Sequence, residues 1–330
     1  MNSKKNVQQL LPGLEAPEPT AIPGVSPVKE LRKIDGKRLD GMHENYMAPE
    51  QRDTWYIHTV LAQCFLPYRD PKTTHWMKEN GDVSIALTAG IVKSPEKGFY
   101  EAGLPYGVRP RLFLTYINTQ AVLKKSPVIM VEDSMTAMMR ELGIQPTGGK
   151  NGTIAGFKEQ ITRLAACHFR IIAPDRVKNT MRHINAEPFK SFDVWFSNVP
   201  EQRTLWPSEI VLTDDFYNNL VEHAIPYDFR GLKLIQNNPR AQDIFLWMTQ
   251  RLCRLSKDKP LFMTWQMLYE MFGGTLATMK KFKQEFRIAL NAAKIAYPDA
   301  RLTEEENGFR FYASPPPVPK TKIAVNKPVG

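Results

Sequence analysis

The sequence predicts a helix-rich α+β protein built from two tandem winged-helix units, each a helix-turn-helix followed by a β-wing. Three observations carry this. Residues 134–142 form a short amphipathic stretch that runs into a Gly/Pro-rich break at 143–152. A second amphipathic stretch at 153–167 and a strand-like His-Phe-Arg-Ile-Ile at 168–172 follow. The same order recurs over 261–313 with a far more basic second helix. The formal net charge of +10 and a pI near 9.4 suit a polyanionic partner. At 330 residues the chain is long enough for about two domains. The expected division is a disordered arm over 1–49, units over 50–200 and 201–313, and a Pro/Lys tail over 314–330.

The arm has prolines at 12, 17, 19, 23 and 27 and little periodicity, apart from a helical pattern at 28–39. Within it, Gln-Gln-Leu-Leu at 8–11 is only faintly like a clamp-binding peptide, and plain disordered sequence is favoured. Order is expected from Glu50. Residues 54–65 are apolar at helical spacing and stop at Pro67. Glu-Asn-Gly-Asp at 79–82 turns the chain between strands ending at Met77 and starting at Val83. A long helix over 109–124 places Leu112, Tyr116, Thr119 and Val122 near one face. A strand over 128–132, with Asp133 and Ser134 as caps, opens the first helix-turn-helix. Residues 175–188 read as a polar loop, 192–196 as a returning wing strand, and 209–212 as a further strand capped into a helix at Thr213.

The second unit is expected from Asp228, with helices over 229–236 and 240–255 and a strand over 261–263. Thr264 caps a helix over 265–272, and Gly-Gly-Thr at 273–275 turns the chain into a helix over 276–296. A hairpin over 301–313, turning at Glu-Asn-Gly 306–308, supplies the wing.

On the 276–296 helix, Met279, Phe282, Phe286, Ala289, Leu290 and Ala293 repeat at helical spacing and form the buried face. Lys280, Arg287 and Lys294 fall opposite, flanked by Lys281, Lys283, Gln284 and Asn291. From 273 to 296 there are five Lys/Arg and one Glu, a net of +4. Lysines can neutralise phosphates, while Arg, Gln and Asn can read base edges. The alternative is an ordinary solvated face; the position after a helix and a glycine turn favours DNA. In the first unit, Ile154, Phe157, Ile161 and Leu164 pack inward. Ala155, Gly156, Glu159, Thr162, Arg163 and Ala166 are left outside, a small, nearly neutral face suited equally to a groove or to a second subunit. Lys150, Asn151, Thr153 and Lys158 are secondary DNA candidates. Arg176, Lys178 and Arg182 and the wing turn at Asn307 and Gly308 are candidates for backbone contact.

No enzymatic constellation emerges. Residues 143–151 resemble a phosphate loop, but an extra glycine precedes the lysine, Asn replaces the magnesium-binding Ser/Thr, and a helix rather than a strand comes before. The six histidines include no His-x-His pair and no HExxH, and His168 and His223 read as packed or solvated. Asp214 and Asp215 read as helix-capping carboxylates. Cys64, Cys167 and Cys253 lie far apart, which argues against disulfides and zinc, and each is expected to be a small buried hydrophobe. No cofactor or metal is expected. With no apolar run of about 18 residues and no signal-like start, a soluble cytoplasmic protein without membrane contact is expected.

Several segments resemble the RepA-type plasmid replication initiators, a bacterial family. They are Gly-Leu-Pro-Tyr-Gly-Val-Arg-Pro-Arg-Leu at 103–112, Met-Met-Arg-Glu-Leu-Gly-Ile at 138–144, and Pro-Thr-Gly-Gly-Lys-Asn-Gly-Thr-Ile at 146–154. Further segments are Phe-Lys-Glu-Gln-Ile-Thr-Arg-Leu-Ala-Ala at 157–166, Leu-Trp-Pro-Ser-Glu-Ile-Val-Leu at 205–212 and Ile-Pro-Tyr-Asp-Phe-Arg-Gly-Leu-Lys at 225–233. Lys-Phe-Lys-Gln-Glu-Phe at 281–286 and Ser-Pro-Pro-Pro at 314–317 complete a likeness that covers about 54–318. In the family the turn before the first recognition helix reads Gly-Gly-Arg-Trp-Gly-Thr; Lys150 and Asn151 replace its basic-aromatic pair here.

The resemblance implies a non-enzymatic protein binding repeated double-stranded sites at a plasmid origin, helping to open it or to load host helicase and initiator proteins. It also implies a C-terminal unit that grips DNA and an N-terminal unit shared between DNA and dimerisation, hence a homodimer or a monomer–dimer equilibrium. The alternative is a two-winged-helix transcriptional regulator that represses its own promoter.

Overall fold

The computed structural model describes residues 53–318 apart from 82, 95–97, 131–134, 176–178, 186, 192–208 and 275. In chain order the elements are β1 (Thr54–His58), β2 (His75–Asn80), β3 (Val83–Thr88), β4 (Ile91–Ser94), β5 (Gly98–Glu101), α1 (Val108–Lys124), β6 (Val128–Met130), α2 (Met135–Glu141), α3 (Thr153–Ala166), β7 (His168–Asp175), β8 (Thr180–Asn185), β9 (Phe189–Ser191) and β10 (Glu209–Leu212). Then come α4 (Asp214–His223), β11 (Ala224–Asp228), α5 (Phe229–Leu234), α6 (Pro239–Arg251) with a 3-10 turn (Leu252–Arg254), β12 (Leu261–Thr264), α7 (Trp265–Phe272), α8 (Met279–Ala296), β13 (Leu302–Glu305) and β14 (Gly308–Phe311). The class is α+β, with several small antiparallel sheets.

Two stretches share one order, helix–strand–helix–helix followed by a strand pair. The first is α1–β6–α2–α3 with β9–β10, and the second is α6–β12–α7–α8 with β13–β14. Both close their sheets alike: the first strand pairs with the last, and the last with the middle one, all antiparallel. The first stretch carries an extra hairpin, β7–β8, which joins β2–β3 in a four-stranded sheet, β2-β3-β7-β8. Ile85 and Leu87 of β3 lie opposite Ile171 and Phe169 of β7, and this face is buried.

Helix α1 is central. Residues 110 to 119 are all buried, so the single apolar face expected for it is replaced by burial all round. One continuous core joins the two stretches. Trp55 stacks on Phe229 at 3.5 Å between ring centroids, and β1 pairs with β11 from Thr54–Asp228 to His58–Ala224.

Four expectations are corrected. The helix over 54–65 is β1 followed by a tight turn, in which Ala62 N–H donates to His58 O and Cys64 N–H to Val60 O. Its helical spacing arose because the turn buries Val60, Ala62, Cys64 and Phe65 directly after a strand that buries alternate residues. The polar loop over 175–188 contains the strand β8, which pairs with β7 through Ile171–Ile184 and Ile172–His183, and β9 begins at Phe189. β11, immediately before the second unit, was not anticipated; its partner β1 lies far away in sequence. The helix over 276–296 starts at Met279, because the Thr278 hydroxyl accepts from Lys281 N–H and fixes the cap there. The arm over 1–49, the Asp133/Ser134 caps, the wing strand at 192–196 and the tail after residue 318 lie outside the described residues.

Candidate nucleic-acid interface

The segment α7–turn–α8 is built on Trp265. Thr264 caps α7 by accepting from Met267 N–H, which places the indole at the centre of the unit. There it meets Phe282, Phe286 and Phe309 edge-on, with centroids 5.2–6.4 Å apart. The turn after α7 is held from two sides. Arg240 of α6 donates to the carbonyls of Phe272 (2.9 Å) and Gly273 (3.4 Å), and the Tyr269 hydroxyl donates to Leu276 O at 2.5 Å. Gly274 takes φ +60 against the Tyr68 ring, where a side chain would collide. Helix α8 then buries Phe282, Phe286, Ala289, Leu290 and Ala293, as its spacing predicts; Met279 is half-buried.

The polar face of α8 is less free than its composition suggests. Lys280, Lys281 and Gln284 are exposed, while Lys283, Arg287, Asn291 and Lys294 are partly covered. Arg287 donates through Nε and an Nη to one Glu304 oxygen of β13, at 2.9 and 2.6 Å, and its guanidinium lies 4.8 Å from the Trp265 ring. Lys283 sits 5.0 Å from the same ring. Lys281 pairs with Glu285 at 2.9 Å. Burial pulls the Lys294 ammonium below the usual lysine range. On the hairpin, Arg310 pairs with Glu305 at 2.5 Å, and its hydrogen bond holds the Glu305 carboxyl below the usual carboxylate range. Over residues 279–290 and 303–310, five cations face four carboxylates, a net of +1.

Between α2 and α3, Lys150 and Asn151 are exposed in the turn, and Lys158 is half-buried on α3. The Thr153 hydroxyl is engaged inside the turn: it donates to Gln145 O at 2.7 Å and accepts from Thr147 N–H at 2.8 Å. Phe157, Ile161 and Leu164 are buried as expected, and Ile154 is half-buried. The face expected to lie outside is partly covered. Arg109 of α1 lies over Gly156, where an added Cβ would come within 2.6 Å of its guanidinium. Arg163 reaches Glu159 (2.7 Å), Asp70 (3.4 Å) and the Leu104 carbonyl (3.2 Å). Ala166 packs its backbone against Gly90. Arg176, Lys178 and the Arg182 side chain lie outside the described residues.

Cys64 and Cys167 are buried, and burial pushes both thiols up to about 12. Cys253 departs from expectation: it is exposed on the 3-10 turn after α6. Among the described residues no cluster of His, Cys, Asp and Glu could hold a metal ion, and no helix is long and apolar enough to cross a membrane.

Sequence reasoning missed the role of the segment 103–112. Arg111 forms a two-pronged pair with Asp243 of α6, both contacts 2.8 Å, with side chains 6% and 3% exposed. Its remaining N–H groups donate to Gly107 O (2.6 Å), Pro67 O (3.2 Å) and Leu66 O (2.5 Å). Tyr106 N–H donates to Gln160 of α3 at 2.8 Å. The signal was an acid, Asp243, inside the apolar run of α6, which demanded a buried cation.

No curated protein and no solved structure matches the chain. Residues 104–267 match the family model described as plasmid encoded RepA protein, a span that runs from the loop before α1 into α7 and stops short of α8. It takes in both partners of the buried Arg111–Asp243 pair and all of α2 and α3, and through this segment the chain belongs to the RepA-type plasmid replication proteins.

Proposed function

We propose that the protein is a non-enzymatic, sequence-specific double-stranded DNA-binding initiator, made of two winged-helix units on a shared core. On this reading it binds repeated sites at a plasmid origin and helps to open them or to load host helicase and initiator proteins. It works without cofactor in the cytoplasm, as a homodimer or in a monomer–dimer equilibrium. The observation that carries the reading is the repeated order helix–strand–helix–helix–strand–strand with the same sheet closure in both units. In the second unit, α8 follows a rigid turn, backs onto the hairpin β13–β14 and presents Lys280 and Gln284 outward. Family membership supports a role in plasmid replication. The first unit, whose α3 face is half covered by Arg109 and Arg163, serves DNA through Lys150, Asn151 and Lys158 or meets a second subunit.

The test is fluorescence anisotropy of the purified protein on duplexes tiling the DNA around its own gene, at several salt concentrations. Arrayed sites bound orders of magnitude tighter than scrambled duplex, beside an AT-rich stretch, are expected. One inverted repeat over the promoter would make it an autorepressor instead. Uniform weak binding everywhere would overturn origin recognition.

A further inference from the structure

Resting on the DNA-binding reading above, we infer that the phosphate-neutralising surface of the second unit lies away from the α8–hairpin face. It is formed by Arg251, Arg254, Lys257, Lys259 and Arg301 and takes the backbone of duplex DNA without regard to sequence. The first observation is the charge of the α8–hairpin face. Over residues 279–290 and 303–310, leaving out Lys294 at the far end of α8, its net is only +1, and Lys281, Arg287 and Arg310 are each committed to a carboxylate. A face so neutralised discriminates bases but attracts a polyanion weakly.

The second observation is convergence at the opposite end of the sheet β12-β14-β13. Leu261, where β12 begins, and Leu302, where β13 begins, both pair with Phe311, where β14 ends. Ser314 N–H donates to Leu252 O at 3.2 Å and Arg301 N–H to Ser314 Oγ at 3.0 Å, so the 3-10 turn and the start of β13 are tied through one serine. Tyr312 N–H donates to Arg301 O at 2.9 Å. This brings residues 251–259 and 299–301 to one end, beside the last turn of α8. It is about 27 Å along the 18-residue helix from the start of α8.

There, five cations face two acids, Asp258 and Asp299, for a net of +3. All five cations are exposed; Arg254 donates to the Gln250 carbonyl of α6, and none of the five forms an ion pair among the described residues. They are therefore free to displace counterions, which is the main source of non-specific affinity for duplex DNA. None of the large hydrophobic residues exposed among the described residues lies in these segments, so the surface has no apolar anchor for a lipid bilayer.

The experiment compares full-length Lys257→Glu/Lys259→Glu with Lys280→Ala/Gln284→Ala and the unaltered protein, on the tightest tiled duplex and on a scrambled one. Thermal melts establish that both variants fold. For the charge reversal, the expected result is weaker binding to both duplexes, by at least tenfold and by a similar factor. The slope of log Kd against log salt should also fall by about 2, and the preference for the tight duplex should be retained. Lys280→Ala/Gln284→Ala should instead lower that preference. A charge reversal that leaves affinity and slope unchanged, while Lys280→Ala/Gln284→Ala still alters binding, overturns the surface but leaves DNA recognition standing. Absence of salt-dependent binding by the unaltered protein overturns both.

Discussion

Arg287 shows how far a residue's role depends on its neighbours. Its seven-residue spacing with Lys280 and Lys294 marks it in the sequence as a base reader. In the fold its donors are directed at Glu304 and its plane at Trp265, so it ties α8 to the hairpin. The residue left facing outward with base-reading chemistry is Gln284. Two outcomes follow from this difference. Gln284→Ala should narrow the gap between specific and scrambled duplex by about 1–3 kcal/mol. Arg287→Ala and Glu304→Ala should each lower stability by about 1 kcal/mol and fail to add in the double variant, because both remove one half-buried pair. Urea unfolding of the three variants measures the second point; full additivity would show that the pair contributes nothing. Seven-residue spacing identifies a face but not which of its members are already engaged, since Glu304 lies in another element.

At the scale of elements, the sequence was a good guide wherever the determining interaction is local. The caps at Thr213 and Thr264, the central helix, the α7–α8 turn and the β13–β14 hairpin are all set by residues a few positions apart. It failed for β1 and β11, which pair across residues 54 and 228, and for β8, whose polar composition hides its place beside β7. Two predictions belong to this scale. Gly308 opens β14, and a Cβ there would sit 2.0 Å from the Met263 carbonyl, whereas one on Gly148 would meet nothing within 4 Å. Gly308→Ala should therefore cost about 1–3 kcal/mol of stability, while Gly148→Ala should be neutral or slightly stabilising. Equal melting temperatures for the two would contradict the packing of β14 on β12. The other concerns the end of β1, where the buried His58 ring meets Asn219 of α4 at 2.6 Å. Burial lowers its pKa from 6.5 to about 4, with the Asn219 bond acting the other way and nearby His223 adding slightly to the fall. The unfolded chain thus takes up the proton first. Stability should be fully present above about 6.5, fall through the window down to about 4, and level off below it, by up to about 3 kcal/mol in all. His58→Gln should remove that part of the acid sensitivity, and the same urea midpoints against pH in both proteins would refute the assignment.

For the whole molecule, the question is whether the two stretches that repeat one topology behave as two in stability. Their contacts argue that they do not. β1 and α1 bind β11 and α6, and Lys78 of β2 donates to the Glu270 carbonyl of α7. At the centre of this junction lies the Arg111–Asp243 pair, whose burial raises the carboxyl of Asp243 while Arg111 opposes that rise. Such a pair adds little against an apolar replacement, but losing one partner leaves a buried guanidinium unopposed. Asp243→Asn should therefore cost about 3–5 kcal/mol. Arg111→Met/Asp243→Leu should recover only part of it, because the carbonyls of Leu66, Pro67 and Gly107 would lose their donor. Because the pair ties α1 to α6, which begin the two repeated stretches, the loss should appear as one cooperative transition moved to lower temperature. Calorimetry decides the matter: two resolved transitions, with Asp243→Asn moving only one of them, would mean that the units are held side by side without sharing a stability. A single shifted transition would mean that a change at the junction is felt equally by α3 and α8, over the full span from 53 to 318.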